Sequence, residues 1–129
     1  MKPECYPFVV ETLEKRCYRT FPNELEEDEL ILFHATAAEK LVAILKEGLR
    51  PGVEVGGSLS TISYGLNSMV ALTHWISIRA KGTDGVILAL RFDNRDEIFE
   101  DGGTLHSRAL IKQPEVIGVC KIPSSYEHR

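Results

Sequence analysis

Four polar residues stand where the sequence allows contact with a ligand: His34, Ser60, Tyr64 and Glu115. His34 directly follows the apolar run Leu30–Phe33, and turns that follow strands often carry residues that bind ligands. A neutral imidazole offers one donor and one acceptor in a rigid plane, which suits the binding of hydroxyl groups. A fixed carboxylate stabilises positive charge that develops during a reaction. These residue types predict a polar site, if the fold brings them together.

Each candidate also has an ordinary structural interpretation. His34 fits a buried, hydrogen-bonded histidine, and Tyr64 fits a residue of the core. Ser60 fits a solvent-facing strand position, and Ser68 fits a helix N-cap. Glu115 follows a proline at the start of a predicted strand, where an exposed charge is common at a sheet edge. The residues alone leave both interpretations open.

The residues around His34 predict a strand followed by a helix. Leu30–Phe33 predicts a buried strand, and Thr36 stands three residues before Glu39, the spacing of a capping box. Gly48 and Pro51 are the expected stop signals. The buried face of this helix is predicted to consist of Leu41, Ile44 and Leu45.

The middle of the chain predicts a second strand and helix. Gly52–Ser58 predicts a flexible loop, and Leu59–Ser63 predicts a short strand. Helical spacing of apolar residues predicts a helix over Ser68–Arg79, capped by Asn67 or Ser68. Val86–Phe92 has the clearest strand pattern in the chain.

The chain ends predict one further helix and two strands. Val9–Tyr18 has helical spacing, and the acidic segment Asn23–Glu29 predicts a solvated loop. After the predicted loop Asp93–Gly103, strands are predicted over Ser107–Lys112 and Glu115–Ile122. Strict βαβ alternation fails in the second half, so the pattern predicts a mixed α+β fold. No GxGxxG follows a strand, which argues against a Rossmann-type dinucleotide site.

Length and composition favour one domain over 1–129, with an N-terminal helix and acidic loop over 1–29 and a core over 30–126. The net charge of −4 gives no broad basic surface for duplex nucleic acid. Three widely spaced cysteines predict a reduced, cytoplasmic setting. No metal-ligand cluster, signal peptide or membrane-spanning run is recognisable in the sequence.

Three segments in order resemble the ADP-ribosyltransferase superfamily. They are LFHAT at 32–36, GGSLSTISYGLNS at 56–68 and PEVIGVCKIPSSY at 114–126, and a helix ending in Glu47-Gly48-Leu49 follows the first. The resemblance implies two packed, mostly antiparallel sheets with NAD bound in the cleft between them. It also implies cleavage of the nicotinamide–ribose bond of NAD, with transfer of ADP-ribose to an acceptor.

The resemblance implies that six residues contact NAD: His34, Ala35, Thr36, Ser60, Tyr64 and Ser68. His34 would bind the adenosine ribose, and the Ala35 backbone would hold the nicotinamide amide. Ser60 or Tyr64 would occupy the middle position of the catalytic motif. Glu115 would bond the nicotinamide ribose and stabilise the oxocarbenium-like charge. Rival carboxylates, which match no family position, are Glu127 and the cluster Glu97, Glu100 and Asp101.

Several functional alternatives remain beside an active transferase. Ala35 replaces the usual glycine of the family, and no aromatic residue follows Ser68 at the family spacing. An inactive NAD- or ADP-ribose-binding module of the same fold is one alternative, and a small α+β interaction protein is another. The acceptor is open between protein, nucleic acid and small molecule. The small size suits a toxin-like protein with an antitoxin or regulatory partner.

Overall fold

The computed structural model describes residues 3–8, 20–51, 61–80 and 82–126, and all structural statements below concern these residues. The predicted helix Val9–Tyr18, the predicted loop Gly52–Ser58 and the candidate residue Ser60 lie outside them. Three α-helices are described: α1 (Asn23–Glu26), α2 (Leu41–Glu47, after a 3₁₀ turn at Ala38–Lys40) and α3 (Ser68–Ile78). The strands are β1 (Glu4–Tyr6), β2 (Ile31–Ala37), β3 (Ile62–Tyr64), β4 (Gly85–Arg91), β5 (Phe99–Asp101), β6 (Thr104–Ser107) and β7 (Glu115–Ile122).

The described strands form two sheets. One has the order β1-β7-β4-β2 and is antiparallel except for the parallel pair β1–β7. The other has the order β3-β6-β5 and is antiparallel throughout. The fold is therefore α+β with two mostly antiparallel sheets, as the sequence predicts at this level of detail.

Both faces of the four-stranded sheet are covered, and this explains the unbroken apolar run of β4. One face carries the first core cluster, which includes Phe33, Ile87 and Cys120 together with Leu72 and Trp75 of α3. The opposite face carries the second core cluster, made by Leu32, Leu49, Ile62, Tyr64, Val86, Leu88, Leu90, Phe92 and Val119. Since side chains alternate along a strand, a strand buried on both faces is apolar at every position.

The predicted capping box is wrong. Thr36 pairs with Val86 inside β2, and the 3₁₀ turn that follows begins after Ala37 without a side-chain cap. The ladder to β4 extends β2 past His34, so His34 lies within the strand and not at its end. The cap of α3 is confirmed, because the Asn67 side chain accepts a hydrogen bond from the Val70 N–H at 3.0 Å.

Two predictions near the end of the chain are also wrong. The predicted loop Asp93–Gly103 contains β5, which forms a hairpin with β6 through Gly102 and Gly103, both at positive φ. The predicted strand Ser107–Lys112 ends at its first residue. The Glu97 carboxylate accepts hydrogen bonds from the Ile111 and Lys112 N–H groups and holds that segment as a loop.

The acidic segment Asn23–Glu29 is only partly the solvated loop that the sequence predicts. Its first four residues form α1, and Glu26 is buried with 5% of its surface exposed. No helix among the described residues is both long enough and apolar enough to cross a lipid bilayer.

Candidate functional site

The candidate site is the region where the pairing of β2 with β3 ends, which we call the cleft. The two segments meet at one bridge, in which Phe33 and Gly65 exchange both backbone hydrogen bonds at 2.9 and 2.7 Å. Regular antiparallel pairing would next join Ala35 to Ser63. Instead, the Ser63 carbonyl accepts a hydrogen bond from Nδ1 of His34 at 2.7 Å. The His34 imidazole therefore stands between the two strands.

Within the described part of the chain, the separation leaves two backbone groups of β2 without a strand partner. In an antiparallel ladder each residue directs both its N–H and its C=O to one side. The bonds Phe92 N–H to Leu30 C=O and Ala38 N–H to Asp84 C=O show that even-numbered residues of this strand bond to β4. Ala35, like Phe33, therefore directs both groups toward β3. Among the described residues, no backbone group pairs with them.

His34 presents a hydrogen-bond acceptor to the cleft. A carbonyl only accepts, so Nδ1 carries the hydrogen that bonds to Ser63, and the neutral ring leaves Nε2 as an acceptor. Burial lowers the pKa of His34 below its ordinary 6.5; the Ser63 carbonyl opposes this shift, and the nearby His74 adds to it. The ring is therefore neutral at pH 7, with its tautomer and orientation fixed by a backbone group.

Tyr64 forms a wall behind His34 and does not extend into the cleft. Only 3% of its surface is exposed, and its ring lies 6.1 Å from the His34 ring, centroid to centroid. Its hydroxyl shares a 2.7 Å hydrogen bond with the buried Ser107 hydroxyl, and its ring meets Phe92 edge-on. Burial raises the pKa of Tyr64 to about 12. The described contacts give Tyr64 the packing role that the sequence left open.

Glu115 does not share the His34 side of the sheet. Glu115 pairs with Arg91, and Arg91 pairs with Ile31 of the first core cluster. Residues that pair directly across strands share a face of the sheet, so Glu115 lies on the face of that cluster. His34 alternates with Phe33 of that same cluster, so it lies on the opposite face. The Glu115 side chain is 59% exposed, and its carboxylate is 3.9 Å from the Arg91 guanidinium.

A β-bulge in β7 is the cause of this orientation. Ala89 pairs with Gly118 and Leu90 pairs with Val116, so Ile117 is an extra residue. One extra residue reverses the alternation for everything that precedes it. In an unbulged strand, counted back from Val119, Glu115 would lie on the His34 face.

Ser68 lies outside the cleft in a buried polar cluster. It is fully buried at the first residue of α3. Its N–H donates to Glu26 Oε1 at 2.8 Å, and its hydroxyl donates to Glu26 Oε2. The same hydroxyl accepts from the Thr20 N–H at 2.8 Å. These contacts give Ser68 a structural role, since they join the start of α3 to Glu26 and Thr20.

The remaining candidates vary in position. Thr36 is partly buried on the same face of β2 as His34. Glu97 holds the loop before β7, whereas Glu100 and Asp101 are exposed on β5. No cluster of three or more His, Cys, Asp or Glu side chains with metal-binding geometry occurs in the described part of the chain.

Two residues of the cleft were not singled out from the sequence. Ser63 binds His34 through its carbonyl, which any residue type offers, so no sequence signal marks it. Gly65 has a signal in hindsight: a Cβ at this position would lie 2.9 Å from the Ala71 nitrogen and the Asn67 oxygen. A glycine at the end of a strand, here two residues before the Asn67 cap, is typical of such a close backbone approach.

Comparisons of this chain with protein-family models, with curated proteins and with solved structures found no match. The cleft geometry and the three-segment resemblance are therefore the basis for a functional proposal.

Proposed function

We propose that this protein binds NAD in the cleft between β2 and β3 and acts as an NAD-dependent ADP-ribosyltransferase. The observation that carries the proposal is the pair of backbone groups of Ala35, which point toward β3 beside the His34 ring and have no backbone partner among the described residues. A primary carboxamide such as that of nicotinamide has one acceptor oxygen and an NH₂ donor. It therefore complements an adjacent N–H and C=O on a strand edge.

His34 supports the same ligand class. Its Nε2 accepts hydrogen bonds in the neutral form, and ribose hydroxyl groups donate them. Because Nδ1 is held by Ser63, the ring meets the ligand without first being reoriented. Preorganised polar groups of this kind lower the cost of binding and of bond cleavage.

Transfer also requires a carboxylate beside the nicotinamide ribose, where positive charge develops as the bond to nicotinamide breaks. The resemblance assigns this role to Glu115. In the bulged register its carboxylate lies beside Arg91 on the other face of the sheet. Turnover through Glu115 therefore needs the start of β7 in the unbulged register, which carries Glu115 to the His34 face.

The position of Glu115 favours a second candidate function. With this carboxylate on the far face, the described part of the cleft keeps the groups proposed to bind NAD but not the carboxylate proposed to stabilise the reaction. The second candidate is therefore a module that binds NAD or ADP-ribose without turnover.

Calorimetric titration with three ligands tests the binding proposal. We expect NAD to bind more tightly than ADP-ribose, which lacks nicotinamide. The 3-acetylpyridine analogue of NAD lacks the NH₂ donor, and we expect about tenfold or greater weakening because the Ala35 carbonyl loses its partner. Equal affinity for NAD and the acetylpyridine analogue would remove Ala35 from the site. No binding of any of the three ligands would refute the proposed function.

Release of nicotinamide from labelled NAD separates the two candidate functions. Release above the rate of the buffer control supports the transferase. Stoichiometric NAD binding without release supports the binding module. The same assay with candidate acceptors, namely denatured protein, single-stranded DNA and RNA, then identifies which one becomes labelled.

A further inference from the structure

Glu26 is a buried carboxylate that the proposed chemistry does not use. It lies at the end of α1 with 5% of its surface exposed. A buried charge without partners is strongly unfavourable, so its neighbours indicate what holds it. Among the described residues, three donors bond to it: the Ser68 N–H at 2.8 Å, the Ser68 hydroxyl, and the Phe21 N–H at 3.2 Å.

Both residues that bond to Glu26 belong to segments that pack against the Phe33–Gly65 bridge, which we call the corner of the cleft. On one side, the Phe21 ring packs against the Phe33 ring at a centroid distance of 5.3 Å. On the other side, Ser68 begins α3, whose first turn lies against Gly65 so closely that a Cβ there would meet the Ala71 nitrogen. Phe33 and Gly65 are the two residues of the bridge at which β2 and β3 separate.

We propose that Glu26 is a positioning residue for the cleft: it fixes the corner between β2 and β3, and through it the direction of His34 and Ala35. The segment from Thr20 to Glu26 is then part of the functional centre. Loss of the carboxylate would loosen the Phe33–Gly65 bridge before it loosens the ladder between β2 and β4. The part of this inference that concerns NAD rests on the proposed function.

Glu26→Gln is the most informative variant because it changes charge and keeps shape. A glutamine retains one acceptor oxygen and replaces the other with an NH₂ donor. That donor faces the Phe21 N–H and the Ser68 hydroxyl, so at least one bond is lost. Two matched controls are available: Glu24→Gln alters an exposed residue of the same helix, and Ile122→Val mildly destabilises the first core cluster.

Hydrogen exchange at the Gly65 amide gives a readout that does not depend on NAD. This amide bonds to the Phe33 carbonyl at 2.7 Å. In Glu26→Gln we expect its exchange to accelerate about tenfold or more, since one buried hydrogen bond is lost near it. The Leu88 amide in the central ladder serves as internal reference and should change far less. The NAD dissociation constant should rise by a similar factor in Glu26→Gln, and it should stay unchanged in both controls.

The outcomes separate this inference from the proposed function. If Gly65 and Leu88 accelerate equally in Glu26→Gln, as expected for Ile122→Val, Glu26 acts only on global stability and the inference is refuted. If wild type does not bind NAD, the proposed function fails, while the Gly65 exchange still decides the structural part. If Glu26→Gln does not fold, Ser68→Ala replaces it, because it removes the hydroxyl contact and keeps the Ser68 N–H bond to Glu26. Unchanged Gly65 exchange in folded Ser68→Ala would overturn the inference.

Discussion

His34 and Glu115 lie on opposite faces of the four-stranded sheet, although both are assigned to one site by sequence. Glu115 lies two strands away from His34 across the sheet and three residues away along the strand direction. On standard strand spacings their Cα atoms are therefore separated by roughly 14 Å. The bulge at Ile117 sets the face, and a one-residue change of register would reverse it. The proposed chemistry therefore depends on a local feature of β7.

Glu115→Gln tests whether this carboxylate serves catalysis. In the bulged register it forms an ion pair with Arg91 at 3.9 Å, and both side chains are at least half exposed, so we expect the unfolding free energy to change by under about 1 kcal/mol. If the protein is a transferase that uses Glu115, nicotinamide release should fall by about a hundredfold or more while NAD still binds. Glu100→Gln, an exposed carboxylate on β5, is the control. Release that is equal in both variants would exclude Glu115 from the reaction.

The lowered pKa of His34 predicts a specific pH dependence of stability. The unfolded chain gains a proton on this residue near pH 6.5, whereas the folded protein resists protonation until a lower pH. The stabilisation is therefore complete above pH 6.5 and is lost as the pH falls below it, by at most about 1.4 kcal/mol per pH unit. Urea unfolding from about pH 8 to about pH 5 measures this loss.

His34→Asn is the matched control for that experiment. Its amide can donate to the Ser63 carbonyl and does not titrate, so its stability should lack the His34 component of the slope. NAD affinity of the wild type should also fall below pH 6.5, since a protonated Nε2 no longer accepts a hydrogen bond. Identical pH profiles for the two proteins would mean that His34 titrates normally.

Tyr64 and Ser107 should behave as a coupled pair in stability. Tyr64→Phe leaves the fully buried Ser107 hydroxyl without this partner and should cost about 1–3 kcal/mol in unfolding free energy. Ser107→Ala in the Tyr64→Phe background should cost little more, because both polar groups are then gone. Chemical denaturation of the two single variants and the double variant measures the coupling. NAD affinity should change less than about threefold, and its loss in a stable Tyr64→Phe would indicate that the hydroxyl contacts ligand.

Gly65→Ala should distort the corner of the cleft. The new Cβ would lie 2.9 Å from two backbone atoms, the Ala71 nitrogen and the Asn67 oxygen, so a side-chain shift cannot relieve the clash. We expect a cost of about 1–3 kcal/mol in unfolding free energy and weaker NAD binding. Nuclear magnetic resonance of the Phe33 and His34 amides reports the distortion. Unchanged chemical shifts there would contradict a close approach at Gly65.

Periodicity predicts the elements that bury apolar surface in this chain. Ser68–Arg79 corresponds to α3, Val86–Phe92 to β4 and Glu115–Ile122 to β7, because each has a continuous apolar pattern. The sequence pattern does not locate β5 and β6, since exposed hairpin strands carry little apolar signal and their turn depends on Gly102 and Gly103. The burial of Glu26 also has no local signal, as its donors lie 5 and 42 residues away.

The candidate site was predictable only in part, for similar reasons. His34 follows an apolar run, and the structure locates it between two strands. The orientation of Glu115 depends on how β7 pairs with β4. The sequence of β7 alone does not show that one of its residues forms a bulge against that strand. Tyr64 and Ser68 were ambiguous because their roles depend on Ser107 and Glu26, which lie about forty residues away in the chain.

Gln113 has a consequence for the direction of Glu115. Its side-chain amide bonds to both the N–H and the C=O of Leu49 at 2.8 Å, which anchors the entry to β7 at the end of α2. Gly118 is a second anchor, because a Cβ there would collide with Tyr6 and Phe21. Between these two anchors β7 has one residue more than the facing part of β4, and this extra residue, Ile117, forms the bulge. Gln113 and Gly118 thus lie on either side of the bulge, and we expect that any change of register that turned Glu115 toward His34 would have to break the Gln113–Leu49 hydrogen bonds or displace Gly118.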